Sequence, residues 1–92
     1  MDDITRLRKR IDEADEEILR SLNKRTEICK AIGSLKKKQK IPIKDIPREN
    51  DVYVHIRKKA SELGLDAAQV EAVYRQIVNM CSQVQELEEK RE

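Results

Sequence analysis

An all-α fold is predicted for this chain: three helices, the first very long, wound with a second copy into an intertwined homodimer. Three observations carry the prediction. Apolar residues recur at helical spacing through most of the 92 residues, and only two glycines and two prolines interrupt them. The first periodic run is also too long for the rest of the chain to cover. A chain of this length forms one domain, taken as residues 1–92, and buries only about 60–65% of its unfolded surface on its own. Its composition, 41% charged with no Phe or Trp and two Tyr, can indicate disorder. A disordered polyampholyte has no reason to place its apolar residues every third and fourth position, so the chain reads as folded.

Helix 1 is placed at about residues 3–39. Ile4, Leu7, Ile11, Ala14, Ile18, Leu22, Cys29 and Ile32 fall within a narrow arc at 100° per residue. Gly33 interrupts the pattern, but one glycine costs only about 1 kcal/mol. Such a helix is about 55 Å long, whereas a compact domain of this size has a radius of gyration of about 12 Å. The other fifty-odd residues cannot cover that seam, and a second copy is the simplest cover.

"IPIKDIPREN" then breaks the pattern, because residues preceding Pro42 and Pro47 are biased away from helix. Asp45 is placed to accept from free N–H groups at the next helix start, and Pro47 is tolerated in its first turn. Helix 2 aligns Val52, Ile56, Ala60 and Leu63, and ends near Gly64. "LDAAQV" restarts the chain with Asp66 as N-cap, Gln69 three residues on, and Leu65 set to staple Val70. Helix 3, about residues 67–90, carries Val70, Val73, Tyr74, Ile77, Cys81 and Val84 on its apolar face.

Lys and Arg number 20 against 18 Asp and Glu, giving +2 with the signs interleaved. That balance argues against nucleic acid, and the one basic block, "KKKQK" at 36–40, lacks aromatic neighbours for stacking. Cys29 and Cys81 are too few and too far apart for a disulfide framework or a zinc motif, so reduced thiols are expected. "MDDITRLRKR" lacks the apolar core of a signal peptide and no segment is long enough to span a membrane, so a cytoplasmic protein is expected.

Polar residues in apolar places carry the functional reading. Arg25 and Lys36 lie on the helix 1 stripe, eleven residues and three turns apart. A buried charge needs a counter-charge. The simpler account of Arg25 is an internal salt bridge with Glu49 or another carboxylate, and of Lys36, exposure within "KKKQK". Two cations on one stripe shift the balance toward a small anionic ligand. Glu49 falls on the buried face of helix 2 with Arg48 beside it, although an acidic first turn is commonly a dipole effect. Gln85 lies one turn beyond Cys81 at the edge of the helix 3 face, where a satisfied structural amide is the usual reading. Cys81 reads as a small core residue, His55 has no assigned role, and Arg8 defaults to exposure. No Ser–His pair, metal cluster or phosphate loop is present, and no cofactor is expected. Such a set can hold a small dianion and stabilise charge.

"LRKRIDEADEEIL", "LNKR", "GSLK", "IPIKDIPREND" and "QVQ" occur collinearly over nearly the whole chain. In that combination the chain resembles the all-helical class of chorismate mutase. The resemblance implies rearrangement of chorismate to prephenate in aromatic amino-acid biosynthesis, without cofactor or covalent catalysis, by a homodimer. It implies that Arg25, and Arg8 from the partner chain, bind the two substrate carboxylates, and that Lys36 and Gln85 donate to the ether oxygen. Glu49 would meet the ring hydroxyl, supported by Asp45, with Arg48 ordering the network. Position 81 holds a small polar residue in relatives, from which Cys81 departs. Two other readings stay open: the resemblance also admits an isochorismate pyruvate lyase of the same fold, and the residues alone admit a non-catalytic dimerisation or regulatory module.

Overall fold

Helix α1 spans Asp3–Gln39, α2 Ile46–Glu62 and α3 Ala67–Lys90 in a computed structural model that describes residues 2–91. Each helix starts on an aspartate. The side chain of Asp2 accepts from the Thr5 N–H at 2.7 Å, Asp45 from Arg48 at 3.0 Å and Asp66 from Gln69 at 2.9 Å. Each bond satisfies one of the N–H groups that a helix start leaves free. The first two helices end on left-handed residues, Lys40 at φ 57° and Gly64 at φ 77°. In both, the N–H one residue further on returns to a carbonyl of the last turn, Ile41 to Lys36 and Leu65 to Ala60, each at 2.8 Å. Leu65 itself stays exposed, so the expected staple onto Val70 covers little of it.

The molecule measures 56 × 29 × 14 Å. Its thickness is little more than one helix diameter of about 10–12 Å, so the three helices lie in a single layer. α3 is the middle element, packed on α1 along one side and on α2 along the other, while α1 and α2 do not touch. α3 runs parallel to α1, since Cys29 meets Cys81, Gly33 meets Gln85, Ser34 meets Glu88, and Lys37 donates to the Arg91 carbonyl. α2 runs antiparallel to α3, with Arg57 on Glu71 at 3.1 Å and the Arg75 guanidinium 4.5 Å above the Tyr53 ring. The radius of gyration is 16.6 Å, against about 12 Å for a compact domain of this length.

A single layer has a line of contact rather than a core. The buried apolar residues are Cys29, Ile56, Ala60 and Val78. The expected α1 stripe is buried in this chain only near its C-terminal end. Ile4, Leu7, Ile11 and Ile18 remain 61%, 54%, 59% and 56% exposed, because the N-terminal half of α1 extends beyond both other helices. Val73 and Leu63, expected on buried faces, are exposed as well. None of the described helices is long and apolar enough to cross a membrane.

The expectation of reduced thiols is overturned. Cys29 and Cys81 form a disulfide with their Cα atoms 5.4 Å apart, 52 residues distant in sequence. Parallel packing of α1 and α3 brings the two positions face to face, which separation along the chain cannot reveal. In the chain-entropy account, closing a loop of this length stabilises the fold by about 4 kcal/mol. One turn further along, the α1 and α3 backbones come close at Gly33. A Cβ built on Gly33 would lie 2.9 Å from the Gln85 Cα. Gly33, unexplained by the helical pattern, is there because any side chain would push α3 away.

Two carboxylates tie the layer together. Glu71 accepts from Arg75 and Arg57, which hold its carboxyl below the ordinary 4.5. Burial pushes the Glu88 carboxyl up, but hydrogen bonds from Arg91 and Ser34 outweigh it and leave the group below the ordinary 4.5. A carboxylate with a depressed folded-state pKa stabilises above its unfolded value and loses that contribution on protonation. The chain is therefore expected to lose stability as pH falls from about 4.5 through the lower folded values, and Glu88→Gln to flatten that slope in acid titrations followed by circular dichroism. For Gly33→Ala the helix-propensity gain of about 1 kcal/mol is expected to lose to overpacking. A net cost of about 1–2 kcal/mol in urea unfolding is anticipated.

Candidate active site

The C-terminal half of α1, the 41–45 connection, the start of α2 and the second half of α3 enclose a cleft of about 450 Å³. Seven of the eight residues singled out from sequence line it: Arg25, Lys36, Asp45, Arg48, Glu49, Cys81 and Gln85. The long α1 supplies Arg25 and Lys36 from one face, three turns apart. The Asp45 cap fixes the first turn of α2, and with it Arg48 and Glu49. α3 brings Cys81 and Gln85, one turn apart, to the opposite wall.

Arg8 is not in the cleft. It sits on the exposed N-terminal half of α1, seventeen residues before Arg25, or about 26 Å along the helix at 1.5 Å per residue. No side chain spans that distance within one chain.

The internal salt bridge considered for Arg25 is absent. Glu49 instead pairs with Lys44 at 3.4 Å, and among the described residues Arg25, Lys36 and Arg48 make no ion pair. The nearest polar partner of Arg25 is the Cys29 sulfur, 3.9 Å from Nη1. Lys36 is half-buried rather than free in solvent, and its Nζ donates to the Ile43 carbonyl at 2.8 Å. That bond uses one of three ammonium protons and leaves two for another acceptor. Three cations thus face a half-enclosed cleft without carboxylate partners, an arrangement that attracts an anion from outside the protein.

Gln85 is 6% exposed, with Nε2 3.1 Å from the Cys81 sulfur and Oε1 buried without a hydrogen-bond partner among the described residues. Its nitrogen is the neutral donor of the site. Apolar Ile32, Val52 and Val78 complete the walls. Sequence reasoning did not single out Ser82, which also lines the cleft; its position three residues before Gln85, on the same face of α3, was the available signal. It also missed the Ile43 carbonyl, which no side-chain pattern encodes. Among the described residues no group of His, Cys, Asp or Glu is placed to hold a metal ion.

Comparison with known proteins places the chain in a family. Residues 7–86 match the family model for chorismate mutase type II, and the chain belongs to that family. It is 38% identical over 84 residues to a bifunctional chorismate mutase/prephenate dehydratase of Aquifex aeolicus, covering 88% of this chain and 23% of that one. It is 36% identical over 63 residues to a chorismate mutase of Methanocaldococcus jannaschii, covering 68% of this chain and 64% of that protein. A 4-amino-4-deoxychorismate mutase of Streptomyces pristinaespiralis is 30% identical over 77 residues, 84% of this chain and 60% of that protein. The chain thus spans less than two thirds of the length of each of these relatives.

If the unpaired cations form the anion site, calorimetry with a small cyclic dicarboxylate should detect binding that weakens with salt. Arg25→Ala should weaken it about ten- to hundredfold, the equivalent of one charged hydrogen-bonding partner. Arg20→Ala, on the exposed face of α1, should leave it unchanged.

Proposed function

We propose that the chain is a chorismate mutase, converting chorismate to prephenate as a homodimer. The observation that carries this reading is the pairing of unpartnered cations with a buried neutral donor in one cleft of the family's fold. The reaction is an intramolecular Claisen rearrangement: the ether C–O bond breaks, a C–C bond forms across the same six-atom array, and no proton or electron leaves the substrate. It requires no nucleophile, and the two cysteine sulfurs of the cleft are tied in the disulfide.

Arg25 binds one carboxylate in a bidentate fork, which favours the compact conformer with the reacting carbons close together. The second carboxylate is met by Arg8 of the partner chain. The exposed seam Ile4, Leu7, Ile11 and Ile18 supports this, because its burial calls for a second copy, and the arm that carries it is the arm that carries Arg8. As the C–O bond lengthens, negative charge grows on the ether oxygen. The two remaining protons of the Lys36 ammonium and the Gln85 amide donate to it, and these contacts strengthen from ground state to transition state. Glu49 accepts from the ring hydroxyl; its exposed partner Lys44 exchanges readily with solvent. Asp45 caps the turn that holds Glu49 and Arg48, and the latter adds positive potential at the rim.

Ultraviolet loss of chorismate with chromatography of the product tests the proposal. Prephenate supports it. Turnover of isochorismate to salicylate and pyruvate, or of 4-amino-4-deoxychorismate alone, would replace it with the corresponding relative's chemistry. A folded dimer that consumes none of the three would leave a non-catalytic module. Gln85→Ala is expected to lower kcat about 10²-fold or more, as removal of an oxyanion donor does. Gln85→Glu should work only at acid pH, because a carboxyl must be protonated to donate. Arg8→Ala and Arg25→Ala chains, each inactive alone, should recover roughly a quarter of wild-type activity on mixing, since half of the dimers then hold one intact site. No recovery after the two chains have been unfolded and refolded together would remove Arg8 from the partner's site.

A further inference from the structure

The mechanism needs the Gln85 nitrogen on the cleft side, yet the two ends of an amide have nearly the same shape. Something must choose between two orientations. Among the described residues, the hydrogen-bond partner of the Gln85 side chain is the Cys81 sulfur, 3.1 Å from Nε2, while Oε1 lies buried without one. A disulfide sulfur carries lone pairs and no hydrogen, so it accepts and cannot donate. Only the orientation with nitrogen toward Cys81 makes a hydrogen bond there. A free Cys81 thiol would both donate and accept, and could serve Oε1 in the reversed amide equally well. The other sulfur of the bond lies against Arg25, 3.9 Å from Nη1. One turn further on, Gly33 meets Gln85, so the crosslink and that close contact are successive rungs of one ladder.

We propose that the Cys29–Cys81 disulfide is a positioning element of the active site, which holds the Gln85 amide with its donor toward the cleft. The proposal rests on the mutase reading for its catalytic consequence, not for its geometry. Because the bond lines the cleft, a small dithiol reductant can reach it. A reductant thiolate attacks one sulfur to give a mixed disulfide, and its second thiol closes a cyclic disulfide. Cys29 and Cys81 are released as thiols, with two electrons and two protons transferred from the reagent. The amide then loses its fixed orientation.

The test uses the full chain purified in air. Intact-mass analysis after alkylation is expected to find no free thiol before dithiothreitol and two after it. At a temperature where circular dichroism shows unchanged helicity, reduction should lower kcat about three- to tenfold, the worth of one ordered hydrogen bond, and change KM less than about twofold. Reoxidation with oxidised glutathione should restore the rate. In Gln85→Ala the residual kcat should not respond to reduction, a readout that a merely structural crosslink would not give. The Gln85 side-chain amide resonance, assigned by its absence in Gln85→Ala, should move on reduction. Two free thiols in the air-exposed protein would overturn the proposal, as would an equal loss of kcat in wild type and Gln85→Ala. Chorismate turnover with neither rate nor amide signal responding would remove the clamp and keep the mutase. An amide signal that responds in a protein inactive on chorismate would keep the clamp and remove the mutase.

Discussion

Everything in this molecule hangs on the line where α1 and α3 run side by side. With the chain only one helix thick, there is no second layer to hold a misplaced helix, and α3 alone touches both of the others. The register of that line is set at two adjacent levels, by the Cys29–Cys81 bond and by the contact of Gly33 with Gln85. Both are local constraints of high stiffness. A covalent bond does not slide, and a backbone approach that a single methyl group would block leaves little room to rock. The cleft is built from the same turns, so the geometry that lets the layer exist also sets the distance between its two walls.

The electrostatics follow from this thinness. A compact core would force Arg25 and Lys36 to find internal carboxylates or to be replaced by apolar residues. Here the stripe opens onto a cleft, and the cations keep enough access to water to tolerate having no permanent partner. Their placement in a half-enclosed cleft still strengthens their attraction for an anion relative to open surface. The structure therefore accommodates charges whose counter-ion comes and goes. A site of donors that hold and polarise a dianion suits a reaction in which bonds rearrange within one molecule.

Stability has an unusual distribution. The buried apolar set is short, and the exposed ion pairs that decorate the helices each contribute about 0–1 kcal/mol. Against that background one crosslink closing a 52-residue span is a large term. The apolar seam on the N-terminal half of α1 is the other reserve, and it is realised only when another chain covers it. In the proposed dimer, folding, assembly and completion of the site would be one linked process rather than three.

Much of the architecture was legible in the sequence because it is written in local rules. Helix limits at 3–39 and 67–90 follow from side-chain period and breakers, and the Asp45 and Asp66 caps follow from hydrogen-bonding chemistry within four residues. Arg25, Lys36, Glu49 and Gln85 stood out as polar groups on apolar faces, whereas Asp45, Arg48 and Cys81 entered the set through the family resemblance, and all seven line one cleft. What depended on how helices lie against one another was not legible. The facing of Cys29 and Cys81, the close approach at Gly33, and the pairing of Glu49 with Lys44 rather than Arg25 are such cases. Each turns on the relative placement of groups that helical periodicity leaves undetermined: which helix packs on which, in what direction, and at what register. The exposure of most of the α1 seam in a single chain, by contrast, followed from helix length alone. The sequence determined the helices and the chemistry on their faces, and the tertiary structure decided which faces meet.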